Sequence, residues 1–263
     1  MSKKRLDLLL TERGLAQSRS RARALIMAGS VLVNGVRVDK AGSEVPEEAE
    51  IIVKSKDHPY VSRGGVKLEH ALKEFSINPK GMICLDVGSS TGGFTDCLLQ
   101  HGAGKVWAVD VGSGQMDYRL RVDERVVLLE GVNAREIDPA VITDLIDLLV
   151  ADVSFISLRL VVPPLLDVLK DDAALILLVK PQFEAGRSKV GKRGVVKDRS
   201  VHREVVRDLV SFFESRGLRG AGLCPSPIRG RKGNVEYFLL LKAARGGGDE
   251  KEHFDLDNVI KNN

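Results

Sequence analysis

The chain has few of the residues that hold small secreted folds together. Its 263 residues include only three cysteines, Cys84, Cys97 and Cys224, and these are widely spaced. No Cys-x-x-Cys pair occurs, so neither a disulfide framework nor a structural zinc site is indicated. We therefore predict no metal site and a protein of the reducing cytoplasm.

Long apolar runs are also absent. The N-terminal run Leu8–Leu10 is too short for the core of a signal peptide, and the longest later stretch, Ala173–Val179, has the length of a strand. A membrane helix needs about 20 apolar residues, so we predict no insertion into a membrane. The composition, 43% hydrophobic and 29% charged, is ordinary for a globular protein. The length suffices for one large domain and a small one.

Charge is unevenly distributed, although the formal net charge is only +4. Residues 3–40 contain nine Lys or Arg against three acids, and residues 187–207 contain eight against two. Two basic clusters on a nearly neutral chain suggest a polyanionic partner, most simply a nucleic acid. Solvated cationic faces are the alternative for either cluster alone.

The first sixty residues have the pattern of a small α+β unit. An apolar helical face at Leu6, Leu9 and Leu10 is followed by a second helix, which Ser18 or Ser20 can cap. Asn34-Gly35 lies between alternating apolar residues and predicts a hairpin, and a strand at 50–53 follows. Arginines crowd the start of the second helix, where they can face a phosphate backbone: Arg19, Arg21 and Arg23.

The most informative stretch is 84–93, where an apolar strand ends in Asp86 and enters the loop Gly88-Ser89-Ser90-Thr91-Gly92-Gly93. In an open α/β sheet, such a loop lies at the carboxyl ends of the strands, where ligands bind. It matches neither the dinucleotide fingerprint nor the P-loop. The next strand ends in Asp110, whose carboxylate can accept both hydroxyls of a ribose. An adenosine cofactor without phosphates fits, and S-adenosylmethionine is the usual one; a Gly-rich turn of any α/β enzyme is the alternative.

From Tyr60 onward, strands and helices alternate, which predicts a parallel sheet covered on both faces. The predicted strands are 82–87, 105–110, 126–129, 145–152 and 173–180, with two antiparallel strands at 220–224 and 235–242. The predicted helices are 66–75, 94–100, 158–169 and 202–215. The fold class is α/β, a Rossmann-like methyltransferase architecture with a mixed seven-stranded sheet, preceded by the small α+β domain.

Four polar residues fall at the carboxyl ends of these strands or near the start of a helix or strand: Lys67, Asp152, Lys180 and Glu236. A single polar residue in such a position is most often only a solvated side chain at the point where the chain leaves the core. Four that can converge at one edge of a sheet suggest a site.

Two regions resemble known families. The segments Arg5-Leu6-Asp7, Ser18-Arg19-Ser20-Arg21-Ala22, Ile26–Gly29 and Val31–Gly35 are similar to the S4 RNA-binding domain. The segments Tyr60–Leu68, Asp86–Asp96, Asp152–Ser157 and Val179–Glu184 resemble the TlyA family, which joins an S4 domain to an FtsJ-type methyltransferase domain. The resemblance covers nearly the whole chain. It implies an S4 domain at 1–54, a linker at 55–60, a methyltransferase domain at 61–245 and a polar tail at 246–263, which we expect to be flexible.

The resemblance also implies an activity, S-adenosylmethionine-dependent methylation of ribose 2′-hydroxyls in ribosomal RNA, at cytidines of the small- and large-subunit RNAs. Ribosomal RNA or ribosomal subunits would be the partners. FtsJ-type enzymes use a Lys-Asp-Lys-Glu tetrad, which maps onto Lys67, Asp152, Lys180 and Glu236. Lys180 would remove or polarise the hydroxyl proton, or remain an ammonium that stabilises the developing alkoxide. Asp152 and Glu236 would orient the lysines.

Cofactor contacts are expected from the loop, from Asp110 at the ribose and from Asn133, which is either an adenine contact or a loop cap. The full set is Asp86, Gly88, Ser89, Ser90, Thr91, Gly92, Gly93, Phe94, Asp110, Asn133 and Asp152. RNA contacts are expected from Arg5, Arg19, Arg21, Arg23, Arg63, Arg187, Lys189, Arg193 and Arg231, with the glycine-containing 187–199 loop being mobile.

Two alternative functions make different demands on the sequence. Members of the TlyA family have also been named haemolysins, and a membrane-lytic protein needs an insertable segment or a lipid-seeking helix; the sequence offers neither. An RNA-binding protein with a degenerate methyltransferase domain is the third hypothesis, and the intact motifs around Lys67, Asp152 and Lys180 argue against it. The sequence specifies neither the target nucleotide nor the oligomeric state.

Overall fold

The computed structural model describes residues 2–16, 18–27, 29–53, 58–243 and 256–261, without the side chains of Arg187 and Lys261. The chain divides into two compact units, Met1–Pro59 and Tyr60–Asn263. Residues 55–57 of the expected linker, and 246–255 and 262–263 of the expected tail, lie outside the described residues. Within the described part, no helix is long and apolar enough to cross a membrane.

The N-terminal unit contains the two expected helices, α1 (Leu6–Glu12) and α2 (Arg19–Met27). The strands β2 (Val31–Val33), β3 (Val36–Arg37) and β5 (Ile51–Val53) form an antiparallel sheet in the order β3-β2-β5. Two short strands that the sequence analysis missed, β1 (Lys3–Arg5) and β4 (Glu44–Pro46), pair separately. Leu6 and Leu10 of α1 and Ile26 of α2 are fully buried in one apolar cluster with Val31 of the three-stranded sheet.

Local chemistry explains the turns of this unit. Asn34 and Gly35 have φ of +49° and +79°, the left-handed pair that a tight two-residue hairpin requires. Of the two candidate caps, Ser18 is the one used, because its hydroxyl accepts the N–H of Arg21 at 3.2 Å.

The C-terminal unit is built on a seven-stranded sheet in the order β11-β12-β10-β9-β6-β7-β8. Its strands are β6 (Ile83–Val87), β7 (Lys105–Asp110), β8 (Val126–Glu130), β9 (Ile146–Ala151), β10 (Leu169–Val179), β11 (Leu218–Pro225) and β12 (Tyr237–Ala243). The five from β6 to β10 run parallel, whereas β12 is antiparallel to β10 and to the edge strand β11. The expected mixed sheet with an antiparallel edge is confirmed.

Helices cover both faces of this sheet. They are α3 (Arg63–Glu74), α4 (Gly93–Gln100), α5 (Tyr118–Arg121), α6 (Leu158–Val161), α7 (Pro181–Glu184), α8 (Arg199–Glu214) and α9 (Leu256–Lys261). Alternate residues of the central strands enter opposite cores: Leu85 and Leu149 pack into one, Cys84 and Leu148 into the other. Both cores are apolar because the parallel strands are buried on both sides.

The structure corrects the sequence prediction in two places. The helix expected at 158–169 is interrupted after α6, because Pro163 and Pro164 lack the N–H that an α-helix needs; a 3-10 turn at Pro163–Val168 follows, and Leu169 already begins β10. The polar tail ends in α9, whose Ile260 is fully buried and whose Asp257 pairs with Arg203 of α8 at 3.0 Å. This helix was not predicted.

Candidate active site

The sheet topology brings three of the four tetrad residues to one edge. Because β10 and β12 are antiparallel, with Val179 opposite Tyr237, Lys180 and Glu236 lie just beyond the same end of the pair. Asp152 follows β9, which runs parallel to β10 with Ala151 opposite Leu177. The fourth residue, Lys67, comes from α3, whose first turn is capped by Ser62.

The four side chains form two ion pairs. Lys180 Nζ lies 2.5 Å from Asp152 Oδ1, and Lys67 Nζ lies 2.6 Å from Glu236 Oε2. Lys180 and Glu236 are buried, and the side chain of Lys67 is only 12% exposed. Pairing of this kind offsets much of the cost of burying charge. The Glu236 carboxylate lies against the main chain at Gly230, where any side chain would overlap it.

All four residues line one cavity of about 610 Å³. A second cavity of about 570 Å³ adjoins it, and the two share Gly88, Ser90, Asp152, Ser154 and Phe155. Gly88 allows this arrangement: its φ is +85°, and a Cβ there would lie 2.7 Å from the Asp152 carbonyl oxygen. The two cavities therefore meet at the ends of β6 and β9.

Asp110 is oriented toward the second cavity by the main chain around it. Its Oδ2 accepts the N–H of Ser90 at 2.8 Å and its Oδ1 accepts the N–H of Gly112 at 2.7 Å. Each oxygen of a carboxylate can accept two hydrogen bonds, so one position on each oxygen remains for a ligand. Six valines contribute to the other walls, and Asn133 lies at one side.

Asn133 also caps its own loop, because its Oδ1 accepts the N–H of Arg135 at 3.2 Å and its Nδ2 contacts Glu136 Oε1 at 3.3 Å. Both alternatives for this residue, loop cap and cavity wall, are therefore compatible with the geometry.

The other predicted cofactor residues are distributed unevenly. Ser89, Thr91, Gly93 and Phe94 border the first cavity and not the second, whereas Gly88 and Ser90 border both. Phe94 is mainly a core residue, with its ring 6.2 Å from that of Phe238. Gly92 lines neither cavity.

Asp86 is placed differently from the other predicted cofactor residues, since it is fully buried at the end of β6 and lines neither cavity. Thr95 donates its hydroxyl to Asp86 Oδ2 at 2.6 Å. Burial raises the pKa of Asp86 to about 7, and the nearby carboxylate of Asp152 acts in the same direction. Asp86 holds the start of α4 through Thr95, and its contact with the cofactor stays a prediction.

The predicted RNA residues of the C-terminal unit differ in their surroundings. Arg63 and Arg231 line the first cavity, and Arg193 is exposed. Lys189 forms an ion pair with Glu204, which reduces its availability. The side chain of Arg187 is outside the described structure.

The 187–199 loop is hydrogen-bonded to neighbouring segments at several points. Asn234 accepts the N–H of Val196 at 3.2 Å and donates to the carbonyl of Gly194 at 3.0 Å. The buried His202 contacts the Val196 carbonyl through Nε2 and the Tyr237 hydroxyl through Nδ1, both at 2.9 Å. Burial lowers the pKa of His202, which keeps the ring neutral and suited to these two contacts.

In the N-terminal unit, two predicted RNA residues share a buried carboxylate. Arg5 donates two hydrogen bonds to Asp7 and Arg19 donates one, all at 3.0 Å. The Arg5 guanidinium, and then Arg19, lower the pKa of Asp7 to about 2. Arg21 and Arg23 are exposed on α2.

Several residues of the site were missed by sequence reasoning. Ser154 accepts a hydrogen bond from Lys180 at 2.9 Å. Phe155 is 78% exposed with φ of +64°, and its ring lies 5.0 Å from that of Phe183. The available signal for Phe155 was its position three residues beyond Asp152. None existed for Asn234, whose partners are distant in sequence.

Comparisons with known proteins identify the family. The FtsJ-like methyltransferase model matches residues 60–243, and the S4 domain model matches residues 4–51. A Mycobacterium tuberculosis protein named 16S/23S rRNA (cytidine-2′-O)-methyltransferase TlyA is 45% identical, over 90% of this chain and 89% of that protein. Hemolysin A of Brachyspira hyodysenteriae is 43% identical, over 89% and 98%.

Among solved structures, a Streptococcus thermophilus protein carrying the name hemolysin superimposes with a TM-score of 0.77 at 40% identity, covering 100% of this chain and 96% of that one. The fold, the clustered tetrad and these matches agree: the chain belongs to the TlyA family, in which an S4 domain precedes an FtsJ-like methyltransferase domain.

Proposed function

We propose that this protein transfers a methyl group from S-adenosylmethionine to the 2′-hydroxyl of a cytidine ribose in ribosomal RNA. The observation that carries the proposal is the convergence of two lysine–carboxylate pairs on one cavity that opens into a second. The names of relatives support the substrate: the M. tuberculosis protein is named for 16S and 23S RNA, and a Campylobacter jejuni relative, 36% identical, for 23S RNA.

The second cavity has the chemistry to hold S-adenosylmethionine. Asp110 has one free acceptor position on each carboxylate oxygen for the two ribose hydroxyls, and the valine-rich wall suits an adenine ring. Asp152 lies at the junction of the cavities, where Lys180 pairs with its Oδ1. When bound, the cofactor supplies an electrophilic methyl group on a sulfonium centre.

The tetrad would act on the acceptor side of the reaction. A ribose 2′-hydroxyl is a weak nucleophile, so the enzyme must align it and assist removal of its proton. Lys180, held by Asp152 at the junction, is the residue suited to the acceptor oxygen. As a neutral amine it would take the proton on its lone pair, and as an ammonium it would stabilise the developing charge on oxygen. The Lys67–Glu236 pair would orient the ribose from the opposite wall.

The walls of the first cavity are suited to RNA. Arg63, Arg229, Arg231 and Lys232 add positive charge around the tetrad, which would attract the phosphates that flank a target ribose. The exposed ring of Phe155 offers a face on which a base can stack. Because ribosomal RNA is the proposed substrate, we also propose that the protein acts in the cytoplasm.

The test is the Lys180→Ala variant, with Lys170→Ala as the matched control. Lys170 lies near the start of the same strand, β10, and is likewise ion-paired, with Asp147 at 2.6 Å, but it lines neither cavity. Labelled methyl transfer to 16S and 23S RNA, as subunits and as free RNA, is followed by digestion to nucleosides. We expect Lys180→Ala to lose at least about 100-fold in kcat with little change in KM, and Lys170→Ala to retain normal turnover.

Two results would contradict the proposal in different ways. Near-normal turnover by Lys180→Ala would remove Lys180 from the mechanism. Label recovered on a base, and not on ribose, would overturn the 2′-hydroxyl as the acceptor.

A further inference from the structure

The amine of Lys180 has a second partner in addition to Asp152. It donates a hydrogen bond to Ser154 Oγ at 2.9 Å, while its ion pair with Asp152 Oδ1 measures 2.5 Å. Ser154 lies two residues beyond Asp152 and lines both cavities at their junction. The Lys-Asp-Lys-Glu tetrad does not include it.

Two partners constrain a lysine amine in a way that one partner cannot. The amine sits at the end of a flexible four-carbon stem and can rotate about its last bond. A single ion pair fixes the distance to one carboxylate but leaves that rotation free. The Lys180 Nζ atom has three tetrahedral positions besides its bond to carbon. When two of them are directed at Asp152 and Ser154, the direction of the third is fixed.

We propose that Ser154 is a positioning residue for methyl transfer: together with Asp152, its hydroxyl fixes the Lys180 amine so that the third position on nitrogen faces the substrate hydroxyl. This inference rests on the function proposed above, because it assigns the direction of a group in that reaction. Ser154 acts through Lys180 and is not itself required to touch the substrate.

The main chain around Ser154 is braced, so it cannot easily shift to compensate for a lost hydroxyl. Phe155, directly after it, is held in the left-handed region with φ of +64°. Further along, Glu184 accepts the hydroxyl of Ser157 at 2.6 Å and the N–H of Leu158 at 2.8 Å. These bonds tie the segment after Asp152 to α7, which begins directly after Lys180. The segment after Asp152 and the segment after Lys180 are therefore joined by the Lys180–Ser154 contact and by the bonds of Glu184.

The experiment compares Ser154→Ala with Ser154→Thr, which keeps the hydroxyl, and with Ser211→Ala, an exposed serine of α8 outside both cavities. Single-turnover and steady-state methyl transfer are measured on the full chain with saturating ribosomal RNA. We expect Ser154→Ala to lose about 10- to 100-fold in kcat, as small misplacements of catalytic groups do, with the KM for RNA and for cofactor within about twofold. Ser154→Thr should recover to within about threefold, and Ser211→Ala should match the wild type.

Unchanged kcat in Ser154→Ala would overturn the inference while leaving the proposed function intact. A loss that Thr does not restore, or one that appears mainly in the KM for the cofactor, would make Ser154 a wall of the cofactor cavity and would also overturn it. Wild-type protein that transfers no methyl to ribose would refute the proposed function instead.

A second measurement needs no reaction. Nitrogen relaxation of the Lys180 amine in labelled protein should show an ordered group in the wild type and in Ser154→Thr, with greater mobility in Ser154→Ala. Equal order in all three proteins would contradict a positioning role whatever the activity is.

Discussion

Asp86 shows how a single buried carboxyl can set a pH dependence. Its side chain is fully buried, and its Oδ1 has no hydrogen-bond partner among the described residues. Burial raises the pKa of Asp86 to about 7, whereas Asp in an unfolded chain titrates near 3.9. The folded protein therefore retains a proton that the unfolded chain releases, and the stability from this group is present below about pH 4 and lost as pH rises through about 7.

The variant Asp86→Asn should not lose this stability as the pH rises. Asparagine cannot ionise, and its carbonyl can still accept the Thr95 hydroxyl. We expect the stability of the variant relative to the wild type to rise between pH 5 and pH 7, by at most about 1.4 kcal/mol per pH unit, and to level off above that range. Urea unfolding at pH 5, 6, 7 and 8 measures it.

The control for that series is Asp123→Asn. Asp123 is ion-paired with Arg125, whose hydrogen bonds lower its pKa, so its titration is complete below pH 5. Parallel stability curves for wild type and Asp86→Asn across the series would contradict the assignment.

At the scale of the element, the 187–199 loop is organised by one side chain. Asn234 contacts Val196, Gly194 and Arg231, and Lys232 adds a hydrogen bond to the Arg193 carbonyl at 3.0 Å. The basic loop is thereby joined to the segment that carries Glu236. This link connects a proposed RNA-binding element to the tetrad.

Asn234→Ala should loosen that loop without touching the cofactor cavity. We expect amide hydrogen exchange at 190–198 to rise and the Kd for ribosomal RNA to increase about tenfold, because ordering the loop on binding then costs entropy. Cofactor affinity measured by calorimetry should stay within about twofold. Asn78→Ala, in an exposed turn, serves as the matched control. Equal RNA affinity for both variants would leave the loop without a role in binding.

At the scale of the whole molecule, the basic residues that we expect to contact RNA occur in both units. Those of the N-terminal unit have two different environments. Arg21 and Arg23 are exposed, whereas Arg5 and Arg19 neutralise the buried Asp7. Removing Arg21 and Arg23 together should weaken RNA binding and reduce the slope of log K against log salt by about 0.7–0.9 per lost contact. Cofactor affinity should not change.

Arg19→Ala should behave differently from the Arg21→Ala/Arg23→Ala pair. Arg19→Ala removes one of the two partners of the buried Asp7 carboxylate, so this variant should also destabilise the N-terminal unit. The Arg21→Ala/Arg23→Ala double variant should not. Thermal unfolding at pH 7 separates the two outcomes. The destabilisation of Arg19→Ala through Asp7 should appear only above about pH 2. Below that pH the Asp7 carboxyl is protonated in the folded state as well as in the unfolded chain. A double variant with the slope of the wild type would exclude Arg21 and Arg23 as phosphate contacts.

Local patterns in the sequence determined the order and type of most elements, since apolar strand-length runs, Gly-rich turns and Asn-Gly hairpins depend on neighbouring residues. They also placed Asp152 and Lys180 at one edge of the sheet, because the carboxyl ends of parallel strands must meet. The grouping of these two residues with Lys67 and Glu236 as a tetrad followed from the resemblance to FtsJ-type enzymes. Tertiary structure decided the pairings: Lys67 with Glu236 across 169 positions, Asn234 with Val196, and Asp7 with Arg19. It also decided that Asp86 is buried and that Ser154 reaches Lys180. Such contacts depend on how distant segments pack, and no local periodicity encodes that.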